Sequence, residues 1–293
     1  MQVFKFLVPE GGPQRVGRFL LRHGFSRQAL TKAKFADGMI LVNHHRRYSG
    51  FKLQAGDEVI FLPATEAHNE WLKPCAKPLD IVFETPQYLV LNKPAGLLSV
   101  PARRAPNDSV VNRLLAYFQP DQPDAVPHVV TRLDRDTSGL MLVAKTAIAH
   151  VRFSHYHKDI FIKKYRALVH GSFATTNGLI DQPIGQLLPS VKHAVMPTGK
   201  PAQTRYQVLH QTEATAQVEL QLLTGRTHQI RVHLAYLGHP LFGDQLYGQP
   251  DGFGRQALNC CELQFPDPFT KAPVQLKIPD PADIQELLKK WLP

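Results

Sequence analysis

The sequence predicts an α+β protein in two parts. A small unit of two helices and short strands comes first, followed by a larger unit on a mixed, largely antiparallel sheet. Three observations carry this expectation. Beyond residue 79, short apolar runs broken by Pro- and Gly-rich turns outnumber helical patterns. Residues 1–62 instead show helical apolar spacing with a surplus of arginine and lysine. Between the two, residues 63–78 hold Pro63, Pro74 and Pro78 with little periodicity, which reads as a semi-extended linker. The expected boundaries are therefore 1–62, 63–78 and 79–293.

Composition narrows the class further. A chain of 293 residues, 43% hydrophobic and 20% charged, has enough apolar material to build its own core. Its three cysteines, Cys75, Cys260 and Cys261, are odd in number and two are adjacent, which argues against a disulfide framework and for a reducing compartment. Residues 1–10 lack a charged head followed by a long apolar run, and no apolar stretch approaches the length of a membrane span. The expectation is a cytoplasmic protein without membrane association, and a monomer. The net charge of +10 is concentrated, because residues 1–62 carry ten Lys and Arg against four Asp and Glu. A basic module of this kind attracts a polyanion, and nucleic acid is the commonest one.

Within the small unit, Pro13 suits a first helical turn, and Val16, Phe19 and Leu20 recur at helical spacing until Gly24. Ser26 stands as the N-cap of a second helix that turns Leu30 and Ala33 inward and stops by Gly38. Residues 39–42 form a short apolar strand, Asn43 and His44 turn it, and Gly56-Asp57 turns the chain again before a strand at 59–62. Arg15, Arg18 and Arg22 fall on one stripe of the first helix. Arg27, Lys32 and Lys34 extend the positive surface over the second. Most charge runs are merely solvated faces, but this one lacks the interleaved glutamates that would balance it, so it reads as a phosphate-contacting surface.

In the larger unit, strands are expected at 81–83, 88–91, 139–144, 165–169, 206–209, 216–223 and 229–232. Helices are expected at 109–118, 147–157 and 281–292. Several chemistries can be set aside from motifs. Gly199-Lys200 is followed by Pro201 and lacks the glycine spacing of a P-loop, and no G-x-G-x-x-G, C-x-x-C or G-x-S-x-G is present. His228, His233 and His239 cluster in sequence, but the first two are five apart, a spacing that suits neither a helix face nor a strand face.

Two constellations remain. In the segment 131–140, TRLDRDTSGL, Asp134 and Asp136 are flanked by Arg132 and Arg135. An aspartate held against arginine stays charged, as a nucleophile or electrostatic stabiliser requires, although a salt-bridged turn is the plainer reading of this segment alone. In the segment 224–233, TGRTHQIRVH, two arginines and two histidines surround what reads as a short strand, suggesting a partner for a carboxylate or phosphate.

Taken with their neighbours, these segments resemble the RluA-type family of pseudouridine synthases. The resemblance rests on LDIVFE at 79–84 with LNKPAG at 91–96, on RLD at 132–134 with TSGL at 137–140, and on KYRALV at 164–169 with Gly171. It continues through GKPA at 199–202 with Thr204 and Tyr206, then 224–233, Gly238-His239-Pro240 and Gly243-Asp244. The first unit is similar to an S4 RNA-binding domain in Phe19 to Leu21, Ser26-Arg27, residues 34–38, ILVN at 40–43 and GDEV at 56–59. The chain departs from the larger family at Thr131, where a histidine usually precedes the arginine, and from the S4 pattern at His44, where glycine is more usual.

The resemblance implies an isomerase that converts specific uridines in structured RNA to pseudouridine after flipping the base out of its stack. It implies that Asp134 is the essential carboxylate, that Arg231 pairs with it, and that Tyr165 stacks on the uracil and moves the proton from C5. Arg132 would fill the vacated stack and Ile230 would line the apolar wall. Without the resemblance, Tyr165 reads as a core tyrosine. No cofactor or metal is implied. The expected partner is RNA, ribosomal RNA of the large subunit ahead of transfer RNA, which places the protein in rRNA processing. Two other readings stay open from the residues: an RNA-binding assembly factor without turnover, and a metal-dependent hydrolase built on His228, His233 and His239.

Overall fold

The computed structural model describes residues 3–12, 15–66, 71–102, 105–122, 125–154 and 160–291. Pro13, His155 to His157 and Leu292, which bound expected helices, lie outside them.

The small unit begins with β1 (Phe4–Leu7), α1 (Val16–Arg22) and α2 (Arg27–Phe35), then β2 (Met39–Val42), β3 (His45–Arg46) and β4 (Glu58–Leu62). Val16, Phe19 and Leu20 are buried as their spacing requires, and the Ser26 hydroxyl accepts the Ala29 N–H at 3.0 Å as an N-cap. The four strands order β1-β4-β2-β3. β1 was not expected, although its four residues alternate, with Phe4 and Phe6 half-buried and Lys5 and Leu7 exposed. Asn43 and His44 both take positive φ, as a tight hairpin turn requires. The Asn43 side chain then ties the hairpin to the next turn, donating to Asp57 and accepting from the Glu58 N–H. Phe25 packs edge-on against Phe61 and Phe4 in the core between helices and sheet.

The larger unit contains β5 (Asp80–Glu84), β6 (Tyr88–Lys93), α3 (Val110–Phe118), β7 (His128–Val129), β8 (Ser138–Ala144), α4 (Ala147–Ser154) and β9 (Ile162–His170). β10 (Asn177–Asp181), the hairpin β11 (Ile184–Gln186) and β12 (His193–Val195), β13 (Gln203–Gln211) and β14 (Thr215–Leu222) follow. It closes with α5 (Gln229–Tyr236), β15 (Leu258–Pro266), β16 (Pro273–Lys277) and α6 (Ala282–Trp291). Ten strands form one sheet ordered β10-β13-β14-β9-β15-β8-β6-β5, with β16 beside β15 and β7 beside β8. All these pairings are antiparallel except β8 with β15. Every residue of β8 is buried, the mark of a strand covered on both faces.

The parallel junction positions the site. Gly139 at the start of β8 takes φ +115°, and a Cβ there would lie 2.3 Å from the Cys260 carbonyl oxygen. Only glycine lets these two strands approach so closely.

One expectation is corrected. Residues 229–232 are the first turn of α5, not a strand. The alternation of Ile230 and Val232 suggested a sheet, but Ile230 and Leu234, four apart, are the pair that enters the main core. The buried polar residues of that helix are all bonded. Gln229 accepts from the Thr224 hydroxyl and the Arg226 N–H, and donates to the Gln203 carbonyl and the Thr204 hydroxyl. Tertiary bonding overrides the strand propensity of the β-branched residues.

The two units meet at α4. Its Ile148 joins the core of the small unit, and Glu66, after β4, accepts the Ala147 N–H at 2.6 Å and pairs with His128 at 2.6 Å.

Candidate active site

The loop 131–137 enters β8 and carries Asp134. Its course is fixed by side chains from neighbouring segments. The Thr131 hydroxyl accepts the Leu142 N–H at 2.8 Å, so the residue that departs from the family pattern seats the loop on β8. The Ser99 hydroxyl donates to the Leu133 carbonyl at 2.6 Å and accepts the Leu133 N–H at 3.1 Å. Leu133 is buried between these bonds, which turns Arg132 and Asp134 toward an open cleft.

That cleft, open to solvent, is lined by Arg132, Asp134, Tyr165, His228, Ile230 and Arg231, among others. Three separate elements supply them: the loop before β8, strand β9 and the start of α5. All five residues that the sequence singled out for the larger unit, Arg132, Asp134, Tyr165, Ile230 and Arg231, meet here. Arg132 is exposed at the rim, and the Asp134 side chain retains 30% of its exposure. Ile230 is buried and presents an apolar surface.

The expected Arg231–Asp134 pair is present at 3.5 Å, but it is not the principal bond of that arginine. The Arg231 guanidinium donates from Nε and Nη2 to the two Asp244 oxygens, both at 2.7 Å. Asp244 is 1% exposed and also accepts the N–H groups of Leu246 and Tyr247. Burial pushes its carboxyl upward, but the Arg231 bonds and charge outweigh it and hold Asp244 below the ordinary aspartate value. The pair is therefore a fixed ionic bond, with Nη1 of Arg231 left to face Asp134. Tyr247 lies under the guanidinium, 5.0 Å from ring centroid to Cζ.

His228, in a left-handed conformation at the start of α5, closes the other side. The Tyr247 hydroxyl accepts the His193 N–H and is hydrogen-bonded to His228 Nδ1, each at 2.9 Å. The other ring nitrogen of His228, Nε2, faces Asp134 at 4.0 Å. Burial lowers its pKa, against the pull of Asp134, and Arg231 lowers it further.

Tyr165 is buried at the floor. Burial, and then the neighbouring Cys260, raise its pKa well above 10, so the phenol is held in its protonated form. Cys260 pairs with it across β15 and β9, and burial pushes that thiol up to about 12.

The three histidines of the metal reading do not converge. His233 is buried, donating to the Gln182 carbonyl and accepting from Thr204. His239 stacks on Phe173 at 3.9 Å, and His228 lines the cleft. Arg15, Arg18, Arg22, Arg27, Lys32 and Lys34 are all exposed on the surface of the small unit. Sequence reasoning missed the fixed partner Asp244, the Tyr247–His228 pair and the buried Lys93. The one available signal for Asp244 was its place in a recurrent Gly-Asp segment.

The cleft holds a partly exposed carboxylate beside a fixed guanidinium and a buried tyrosine, the fittings of an enzyme site that acts on a group drawn into it, and they match what the resemblance implies. Comparison with known proteins agrees. A family model described as RNA pseudouridylate synthase matches residues 87–236. Uncharacterized RNA pseudouridine synthase YjbO of Bacillus subtilis is 41% identical over 269 residues, 91% of this chain and 95% of its own. Ribosomal large subunit pseudouridine synthase D of Vibrio parahaemolyticus is 38% identical over 282 residues, 89% of this chain and 85% of its own. The solved structure of human RNA pseudouridylate synthase domain containing 1 is 27% identical, with a TM-score of 0.59 over 71% of this chain and 85% of that one. The chain belongs to the RNA pseudouridine synthase family, the isomerases that convert uridine to pseudouridine in RNA.

Proposed function

We propose that this protein isomerises specific uridines of large-subunit ribosomal RNA, with Asp134 as the essential carboxylate. The observation that carries the reading is the position of Asp134, partly open to the cleft, beside Arg231 and in one pocket with Tyr165. Likeness to relatives named as large-subunit enzymes favours ribosomal over transfer RNA.

Isomerisation requires the uracil to leave its stack, detach, rotate and rebond through carbon. Extrusion costs a few kcal/mol, and Arg132 at the rim would occupy the vacated place. Arg231, held by Asp244, supplies a fixed positive charge beside Asp134 that needs no reorganisation as charge develops. Tyr165 would stack on the base from the floor, and Ile230 would exclude water from its edge. Because the Tyr165 phenol stays protonated, it can take the C5 proton only as its own proton passes to a second base, and the Asp134 carboxylate in the same cleft is the group available to receive it.

The small unit, read as an S4-like domain over residues 1–62 joined through 63–78 to the synthase unit 79–293, would grip the RNA through its basic face. Arg15, Arg18 and Arg22 reach phosphates from α1, and Arg27, Lys32 and Lys34 from α2. Exposed Phe35 and Tyr48 flank Lys34, its ammonium lying 4.8 and 5.9 Å from their ring centroids, so the same face offers rings on which bases stack.

The test is pseudouridine mapping by carbodiimide modification and primer extension. The RNA comes from cells lacking the protein, complemented with the native chain or with Asp134→Ala. Stops in large-subunit RNA should vanish in the deletion and return only with the native chain. Stops that return equally with Asp134→Ala would remove the aspartate from the reaction and leave an RNA-binding role.

A further inference from the structure

Lys93 ends β6, opposite Gly139 of β8 in register, and its side chain is fully buried. Its Nζ donates to three backbone carbonyls: Pro94 at 2.9 Å, Leu97 at 2.8 Å and Arg135 at 2.8 Å. The first two belong to the turn that follows β6. The third belongs to the residue next to Asp134, and it is the long-range bond of the set. An ammonium has three N–H groups, and here each has its own acceptor.

The same loop is met by a second cation. Arg255 donates to the Asp136 carbonyl at 3.3 Å and is itself held by both oxygens of Asp283 on α6, at 2.7 and 2.9 Å. The charged groups facing Lys93 are Asp136, Asp134 and Arg255. Burial pushes the Lys93 ammonium down to about 7, against the pull of the two aspartates and aided by Arg255.

We propose that Lys93 is a positioning residue for Asp134, its ammonium pinning the loop through the Arg135 carbonyl, and that loss of one proton releases the pin. The proposal rests on the reading of Asp134 as the essential carboxylate. A neutral amine has only two N–H groups and turns a lone pair toward the remaining acceptor. The two local carbonyls are held near Lys93 by its own turn, so the carbonyl released is the distant one, on Arg135. Asp134 would then lose its fixed distance from Arg231. A misplacement of about 1 Å can cost a reaction about a hundredfold in rate.

The experiment measures single-turnover pseudouridine formation, RNA affinity and hydrogen exchange of residues 131–137, in wild type and in Lys93→Met, from pH 6.5 to 9. The variant matches the length of the side chain and donates nothing. It should lose about a hundredfold in rate at pH 7 with RNA affinity within threefold, and exchange in 131–137 should quicken. The wild-type rate should fall as pH rises, along a limb absent from the variant. A folded variant within threefold of wild type in rate would overturn the proposal. Should Lys93→Met fail to fold, the wild-type series decides alone, because a rate and loop exchange that hold level to pH 9, after correction for intrinsic exchange, also overturn it. If Asp134→Ala, run beside them, makes pseudouridine at the wild-type rate, it is the reading of Asp134 that falls. Loop exchange then still tests the pin, which fails if exchange is the same in both proteins.

Discussion

Replacing Asp244 by asparagine separates a buried ionic bond from an exposed one in the same molecule. Arg231 is 8% exposed and Asp244 1%, and two 2.7 Å bonds join them. Removing one charge from such a pair leaves the other without compensation in a poorly solvated place, at a cost of about 3–5 kcal/mol. The introduced amide keeps one oxygen for the Leu246 and Tyr247 N–H groups, so the lower end of that range, about 3 kcal/mol, is expected for Asp244→Asn. The comparison is Asp136→Asn. Its partner Arg135 has 61% side-chain exposure, and the N···O distance is a similar 2.8 Å. Solvent screens that pair, so its loss should cost about 0.5 kcal/mol or less.

Urea unfolding followed by circular dichroism reads both, and Asp244→Asn should move the midpoint by about 1 M or more. The pH dependence has a definite sign. The folded carboxyl of Asp244 lies below its unfolded value, so its contribution is complete above the unfolded pKa of about 3.9 and is lost as pH falls further. The stability gap between wild type and Asp244→Asn should therefore stay constant down to about pH 4 and narrow below it. Equal midpoints for Asp244→Asn and wild type at pH 7 would refute the argument from burial.

The remaining predictions concern the cleft, the sheet and the basic face. Tyr165→Phe should retain RNA affinity and lose about 10²–10⁴-fold in turnover, and normal turnover would remove the hydroxyl from proton transfer. Gly139→Ala places a Cβ 2.3 Å from the Cys260 carbonyl oxygen at φ +115°, and should cost about 3 kcal/mol or more, seen as a Tm lower by about 6–12 °C. An unchanged Tm would mean that β8 and β15 can separate freely. The triple substitution Arg15→Ala, Arg18→Ala and Arg22→Ala should reduce the slope of log affinity against log salt by about 2–3, with turnover at saturating RNA preserved. An unchanged slope would move the phosphate contacts off α1.

Much of the small unit was legible because its signals are local. The Ser26 cap, the spacing of Val16, Phe19 and Leu20, and the Asn43-His44 turn each act within a few residues. The site was legible as segments, since Asp134, Tyr165 and Arg231 stand in recognisable runs that the fold brings together. What escaped was set by distant partners. Strand β15, which lies between β8 and β9, has almost no alternation because it is buried nearly throughout, so nothing in residues 258–266 distinguishes it from a buried loop or helix. Helix α5 was misread because Gln229 is fixed by Gln203 and Thr204 on β13, which no window around residue 229 contains. Asp244 is thirteen residues beyond Arg231, and only the return of the chain after α5 makes the two a pair.

The arrangement of these charges explains why the arginine of the cleft has two aspartates. If Arg231 bonded Asp134 in a bidentate pair at 2.7 Å, both carboxylate oxygens would be occupied, and any reaction at either would first have to break strong charge-assisted bonds. The structure gives that bidentate bond to Asp244, which is buried and takes no place in the cleft lining. Among the described residues, Asp134 is paired with the outer Nη1 at 3.5 Å and with His228 Nε2 at 4.0 Å. The guanidinium is thus fixed in place without occupying both oxygens of Asp134. The backbone of Asp134 is held more firmly than its carboxylate, through Ser99 at Leu133, Lys93 at Arg135 and Arg255 at Asp136. On the proposed reading of Asp134 as the essential carboxylate, a group fixed by its main chain and lightly partnered at its tip can approach a flipped nucleotide without leaving its electrostatic support.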